Sequence, residues 1–172
     1  LRGMFAFALW DTRYELLMLG RDRVGQKPLY YYQDREKLLF ASEMKSILAY
    51  PGVPRELDLE SLEDYLAFGV VPGHRSIFEG ISKLSPASYL LITRKSWFQK
   101  PECYWSLEGK ANNKLSEKEW SEAIREKFIE TVDSHQISDV PVGAFLSGGV
   151  DSSAVTAAMT ETNGRPLTTF SI

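Results

Sequence analysis

Val142-Gly143-Ala144-Phe145-Leu146-Ser147-Gly148-Gly149-Val150-Asp151-Ser152-Ser153 is the stretch that decides the fold of the second half of this 172-residue chain. Its first five residues carry no polar alternation, the pattern of a short strand buried on both faces of a parallel sheet. A Gly-Gly turn follows, then a helical stretch over residues 152–162 and a second apolar run over 167–172. Strand, glycine turn, helix and strand make a βαβ unit, so a parallel sheet is expected to begin here.

The turn itself reads as a phosphate cradle. Glycines let the backbone approach an anion closely and adopt dihedrals closed to other residues. A helix that starts at the loop points free N–H groups and a partial positive charge into it. The hydroxyls of Ser147, Ser152 and Ser153 supply further donors. Asp151 is the odd residue, since a carboxylate repels phosphate; it makes sense as a Mg²⁺ contact, with the ion bridging phosphate oxygens. The loop is not of the Walker type, because no Gly-Lys-Ser/Thr follows. The same residues would also serve as a plain turn with Asp151 or Ser152 as N-cap. Serines on both sides, a strand before and a helix after favour the phosphate reading.

Upstream, Ser116 and Glu119 have the spacing of a capping box. The helix they open is expected to bury Trp120, Ile124, Phe128 and Val132, which recur every three to four residues. Residues 109–114 are polar and read as a linker. The first half reads as β structure: 5–10, 16–19, 29–32 and 38–40 are four short apolar runs separated by turn signals, suggesting one antiparallel sheet. A helix is expected over 42–48, with Ser42 and Glu43 at its start. Asp58 is expected to cap another helix, whose face carries Leu62, Tyr65 and Leu66 and which Val71-Pro72-Gly73 closes. Residues 88–93 read as one more strand, and 97–105 as aromatic and irregular.

Composition narrows the function classes. Apolar residues make up 44% and charged residues 25%, and the net charge is −3, so neither a nucleic-acid footprint nor a membrane class is expected. No apolar run approaches the roughly 18 residues that span a bilayer. The single cysteine, Cys103, has no internal disulfide partner and fits a reducing, cytoplasmic setting. His74 and His135 lie far apart, without metal-ligand spacing.

These residues carry a family resemblance. Ser147 to Ser153 resembles the pyrophosphate loop of the N-type ATP pyrophosphatases, and the longer run Ser138 to Ser153 resembles the asparagine synthetase form of it. Phe5-Ala6-Phe7-Ala8-Leu9-Trp10-Asp11, the run Arg21 to Tyr31, and Phe40-Ala41-Ser42-Glu43-Met44-Lys45 resemble the late part of the class II glutaminase domain of the same family. Those runs, 81–91 and Tyr104-Trp105 fall in the family's order. The resemblance implies an α+β part followed by an α/β part. The first, residues 1–108, would be the rear of an N-terminal-nucleophile glutaminase sheet domain. The second, residues 109–172, would be the first βαβ unit of an adenine-nucleotide α-hydrolase-like synthetase domain.

It also implies chemistry. Glutamine would supply ammonia, and ATP with Mg²⁺ would activate aspartate as β-aspartyl-AMP with release of pyrophosphate. Ser147, Gly148, Gly149, Asp151, Ser152 and Ser153 match the pyrophosphate loop, with Asp151 the metal contact. Leu146 and Ile172 match positions that contact the adenosine part, although from the residues alone both read as core. The implied partners are ATP, aspartate and glutamine, with a homodimer of the parent protein as a further expectation. The family's nucleophile is an N-terminal cysteine, and Cys103 sits mid-chain, so no catalytic residue is assigned and Cys103 is read as a buried or semi-exposed structural thiol. The chain begins at Leu1 without Met and stops within an apolar run, so it is read as an excerpt of a longer protein, inactive alone. Two alternatives stand beside asparagine synthesis: an amidotransferase acting on another carboxylate, and a non-catalytic nucleotide-binding remnant. Arg21, Asp22, Arg23 and Lys27 are expected to form an ion-paired strand end.

Overall fold

The structure, a computed structural model, describes residues 1–109, 114–164 and 166–171. It divides into two compact units, Leu1–Glu108 and Gly109–Ile172. Most of the stretch read as a linker, residues 110–113, lies outside the described residues.

The first unit runs β1 (Ala6–Asp11), β2 (Leu16–Arg21), β3 (Tyr30–Gln33), β4 (Leu38–Ala41), α1 (Met44–Leu48), α2 (Leu59–Phe68), β5 (Ile81–Lys83), β6 (Ser88–Thr93) and β7 (Glu102–Cys103). The four early strands expected in one sheet lie in two antiparallel sheets, ordered β1-β2-β6-β7 and β4-β3-β5. The cause lies between β2 and β3. There the chain wraps round the Asp22 carboxylate instead of turning tightly, so β3 leaves the edge of β2. β6 takes that edge, pairing Leu17 with Ile92 and Leu19 with Leu90.

The period-2 pattern of the strands assigns their faces. In β6, Ser88, Leu90 and Ile92 are buried and the residues between them only partly so. Leu90 and Ile92 join Leu19, Leu29 and Leu84 in a core, with Tyr31 and Trp97 packed against it. The alternate residues of β3 face the other way: Tyr32 packs with Ile47, Val53 and Ile81, beside Tyr30, Leu39 and Met44. The three-stranded sheet thus carries a core on each face. Each fully buried Leu or Ile is worth about 1.5–3 kcal/mol relative to exposure.

Two helix readings change. The expected start of α1 at Ser42 moves to Met44, with Glu43 as N-cap and no side-chain cap hydrogen bond. The expected stop of α2 near residues 71–73 comes earlier, at Gly69, whose φ of 72° places it in the left-handed region. Asp58 caps α2 as expected, its side chain accepting from Ser61 N at 3.0 Å. Of the face expected to be apolar, only Leu62 is partly buried; Tyr65 and Leu66 are exposed.

The second unit runs α3 (Glu117–Ser134), β8 (Gly143–Phe145), α4 (Val150–Asn163) and β9 (Thr168–Phe170). The Ser116–Glu119 capping box is formed in both directions. β8 and β9 are parallel, with α4 between them in sequence. Val132, Ala158 and Met159 form the small core, with Ala144, Val155 and Leu167 against it. The expected burial of α3 holds only at Val132: Trp120, Ile124 and Phe128 are all exposed, Ile124 by 62%. Likewise β8 is not buried on both faces, and Phe145 is 76% exposed. The core that α4 makes with α3 takes in Val132 and Ile129, and Arg125 pairs with Glu161, but Trp120, Ile124 and Phe128 stay outside it; no further described strand adds to the two-stranded sheet. Among the described residues no helix is long and apolar enough to cross a membrane.

Candidate functional site

The loop between β8 and α4 is built by the two parallel strands. β8 and β9 pair Gly143 with Thr168 and Phe145 with Phe170. Gly143 is required there, since a Cβ would lie 2.9 Å from the Thr168 carbonyl oxygen and 2.8 Å from the Phe170 ring. One residue beyond the strand, Leu146 N donates to Phe170 O at 2.8 Å. The Ser171 hydroxyl closes the other side by donating to Leu146 O at 2.7 Å. Leu146 is therefore fixed on both backbone groups, and the chain departs from the sheet at Ser147.

Gly148 makes the turn with φ of 78°, a value that costs any residue with a Cβ. Gly149 is the N-cap of α4 and has no side chain to cap it. The alternative of Asp151 or Ser152 as N-cap is thereby replaced: both lie inside the first turn. The Ser152 hydroxyl donates back to Gly149 O at 3.2 Å and meets the Ser147 hydroxyl at 3.1 Å. The first helical bond is Ser153 N to Gly149 O at 3.1 Å. The N–H groups ahead of Ser153 have no partner within the helix. Ser147, Gly148, Gly149, Asp151 and Ser153 are exposed, and Ser152 is partly buried. What results is an exposed turn of N–H and O–H donors at a helix start, with one carboxylate, Asp151, in the first turn of the helix.

The site residues named from the sequence come together here, from Leu146 to Ser153. Ile172 lies outside the described residues. Ser171 was missed; its only sequence signal is a hydroxyl directly after a short strand. As for a metal, no group of three or more His, Cys, Asp and Glu able to hold one occurs among the described residues. The Asp151 carboxylate alone fits Mg²⁺ only together with substrate phosphates and water, a common mode for this ion, while the N–H groups and hydroxyls suit the phosphates.

In the first unit the expected ion-paired strand end is not formed. Arg21 instead donates to three carbonyls: Lys27 O at 2.8 Å, Leu84 O at 2.6 Å and Gly25 O at 2.8 Å. Asp22 is 1% exposed and accepts from four backbone N–H groups, of Phe5, Val24, Gln26 and Lys27. Burial pushes its pKa up, but the four N–H groups outweigh that and hold it below the ordinary 3.8. Both side chains are used on the backbone, so the segment from 21 to 28 is a braced loop and not an anion site. Cys103, expected to be buried or semi-exposed, is exposed, and its thiol lies 3.0 Å from Trp105 O. Tyr104 reaches back to donate to Arg21 O at 2.7 Å.

Comparison with known proteins meets these two units directly. Residues 1–105 match the family described as the glutamine amidotransferase domain. The chain belongs to that family. Residues 123–172 match a second family, described as asparagine synthase. This amidotransferase-family chain is 38% identical to a Bacillus subtilis protein named asparagine synthetase [glutamine-hydrolyzing] 3, over 100% of the chain and 28% of the relative. It is 36% identical to a Methanocaldococcus jannaschii protein named putative asparagine synthetase [glutamine-hydrolyzing] 2, over 99% of the chain and 33% of the relative. It is 42% identical to a Gibberella zeae protein named Amidase chry2, over 90% of the chain and 23% of the relative. The chain thus spans between about a quarter and a third of the length of these relatives.

Proposed function

We propose that this chain carries the nucleotide loop of an ATP-dependent, glutamine-hydrolysing amidotransferase that converts aspartate to asparagine by way of β-aspartyl-AMP. The observation that supports it is the turn 147–153, where Gly148 at positive φ, the paired hydroxyls of Ser147 and Ser152 and the start of α4 converge after a parallel strand. Adenylation makes a poor carboxylate leaving group into a good one, and the leaving pyrophosphate gathers negative charge as it departs. In this reading the N–H groups of the first α4 turn and the Ser147, Ser152 and Ser153 hydroxyls receive that charge. Asp151 would hold Mg²⁺, whose chemistry is to neutralise the phosphate oxygens. Leu146, fixed by Phe170 O and Ser171 Oγ, would form one side of the adenosine seat, a role that the family resemblance also gives to Ile172. Such a place, at the carboxyl ends of parallel strands, is where open α/β sheets bind ligands. The first unit would be the rear of a glutaminase domain with an N-terminal nucleophile, Cys103 taking no part.

The relative named as an amidase, at 42% identity, supports a second reading in which the same chemistry acts on another carboxylate. One experiment separates the readings. The intact protein is incubated with ATP, Mg²⁺ and amide-labelled glutamine, with and without aspartate, and the nucleotide products are resolved. The first reading expects AMP, pyrophosphate and labelled asparagine, all dependent on aspartate. AMP formation that ignores aspartate but responds to a different carboxylate supports the second. Release of ADP and phosphate would refute the adenylating chemistry altogether.

A further inference from the structure

The first unit contains a cavity of ≈530 Å³ between the three-stranded sheet and α2. Tyr30 of β3 and Lys83 of β5, paired in register, lie on its sheet side. Leu62 and Tyr65 of α2 and the turn through Val71 enclose it from the other side. The frame is well tied. Asp58 N donates to Ile77 O at 3.1 Å, and Glu79 N to Glu56 O at 2.9 Å. Arg75 pairs with both Glu60 and Asp64, fastening the segment after α2 to the helix itself. Gly69, in the left-handed region, turns the chain so that Val71 O accepts from the Lys83 ammonium.

Lys83 is the anomaly in this wall. It is partly buried, yet no carboxylate pairs with it among the described residues. The other shielded cations of this unit are compensated: Lys37 by Asp34, Arg75 by two acids, Arg21 by three carbonyls. Lys83 has one carbonyl, and its charged neighbour is Arg21, of the same sign. Burial and then Arg21 hold its pKa below the ordinary 10.5. A cation set in apolar surroundings without a counter-charge is costly, and an ammonium offers three donors where one is used here. The cavity's volume is that of a small-ligand site, roughly 300–1,000 Å³.

We propose that this cavity binds a small organic carboxylate, its head on Lys83 Nζ and its apolar body among Tyr30, Leu62, Tyr65 and Val71. This is a site separate from the nucleotide loop and independent of the function proposed above. The probe is 4-phenylbutyrate, with 4-phenylbutanamide as its neutral counterpart, titrated into the intact protein by calorimetry. The carboxylate is expected to bind saturably, one per chain, and the amide about tenfold more weakly or worse, the difference a charge-assisted hydrogen bond makes. Lys83→Met should lose a similar factor, while Lys83→Arg keeps the affinity within about threefold because the positive charge remains. Affinity should also fall as the pH rises and the ammonium is lost. Absence of wild-type binding, equal affinity for carboxylate and amide, or full affinity in Lys83→Met would each overturn the proposal. If Lys83→Met does not fold, the amide comparison and Lys83→Arg still decide it.

Discussion

Replacing Asp22 by Asn keeps the shape of the side chain and removes half of what it does. In the native protein Oδ1 accepts from Val24 N and Gln26 N at 3.2 and 3.0 Å. Oδ2 accepts from Phe5 N and Lys27 N at 3.3 and 3.0 Å. An asparagine satisfies one pair with its oxygen and turns its NH₂ towards the other, donor facing donor. At 1% exposure water has little access to repair this. Two orphaned buried N–H groups cost about 1–3 kcal/mol each, so about 2–6 kcal/mol is expected for Asp22→Asn. With a urea m-value of ~2 kcal/mol per M, the midpoint should fall by ~1–3 M. The assay is urea unfolding followed by tryptophan fluorescence in a Trp120→Phe background, where the other tryptophans of these 172 residues, Trp10, Trp97 and Trp105, all lie in the first unit. The pH dependence has a fixed sign. The folded pKa of Asp22 lies below 3.8, so its stabilisation is complete above about that pH and is lost as the pH falls through the folded value. Asp22→Asn should lack that acid-side loss. A midpoint within ~0.3 M of wild type at pH 7 would refute the account of the loop as braced by one carboxylate.

Three further outcomes are expected. Ser116→Ala removes the acceptor of Glu119 N and should destabilise the second unit by ~1 kcal/mol, read as a lower thermal midpoint of the helical signal; no shift would mean that the cap is idle. Gly148→Ala meets no neighbouring atom but must hold φ near 78°, at a cost of about 1–2 kcal/mol to the loop conformation. In the nucleotide reading, ATP affinity of the intact protein should drop roughly five- to thirtyfold, the fold-change that this strain corresponds to. Cys103 is exposed, so a maleimide should label it fully in native buffer; labelling only after denaturation would show that the thiol is covered.

Local chemistry was legible in the sequence, and partnership was not. The Ser116 capping box, the Asp58 cap, the strand at 88–93 and the turn at Ser147–Ser153 depend on neighbours a few residues away, and the side chains that make them are visible in the string. The division of the first four strands between two sheets depends on Asp22 collecting N–H groups from Phe5 to Lys27, and an aspartate between two arginines reads instead as a member of an ion pair. Helical periodicity marks Trp120, Ile124 and Phe128 as one apolar face, but it does not say that the face is buried, and it is not. Whether something covers that face depends on the partner, and of Trp120, Ile124, Phe128 and Val132 only Val132 enters the core that α4 makes with α3. Lys83 carried no signal at all, since its significance is the absence of a carboxylate from residues distant in sequence.

The pairing of β2 with β6 has a consequence for how the protein is made. The two strands lie roughly 70 residues apart, with β3, β4, α1, α2 and β5 translated between them. At about 5–20 residues per second, ~3–13 s pass on the ribosome between the synthesis of Arg21 and that of Ser88. Throughout that interval the β1–β2 hairpin has no second neighbour, and a lone hairpin is marginal in water. Leu17 and Leu19 wait without the Ile92 and Leu90 that will cover them. Slow decoding anywhere between residues 22 and 87 would lengthen the time that this apolar edge is open to chaperones, or to another nascent copy of itself.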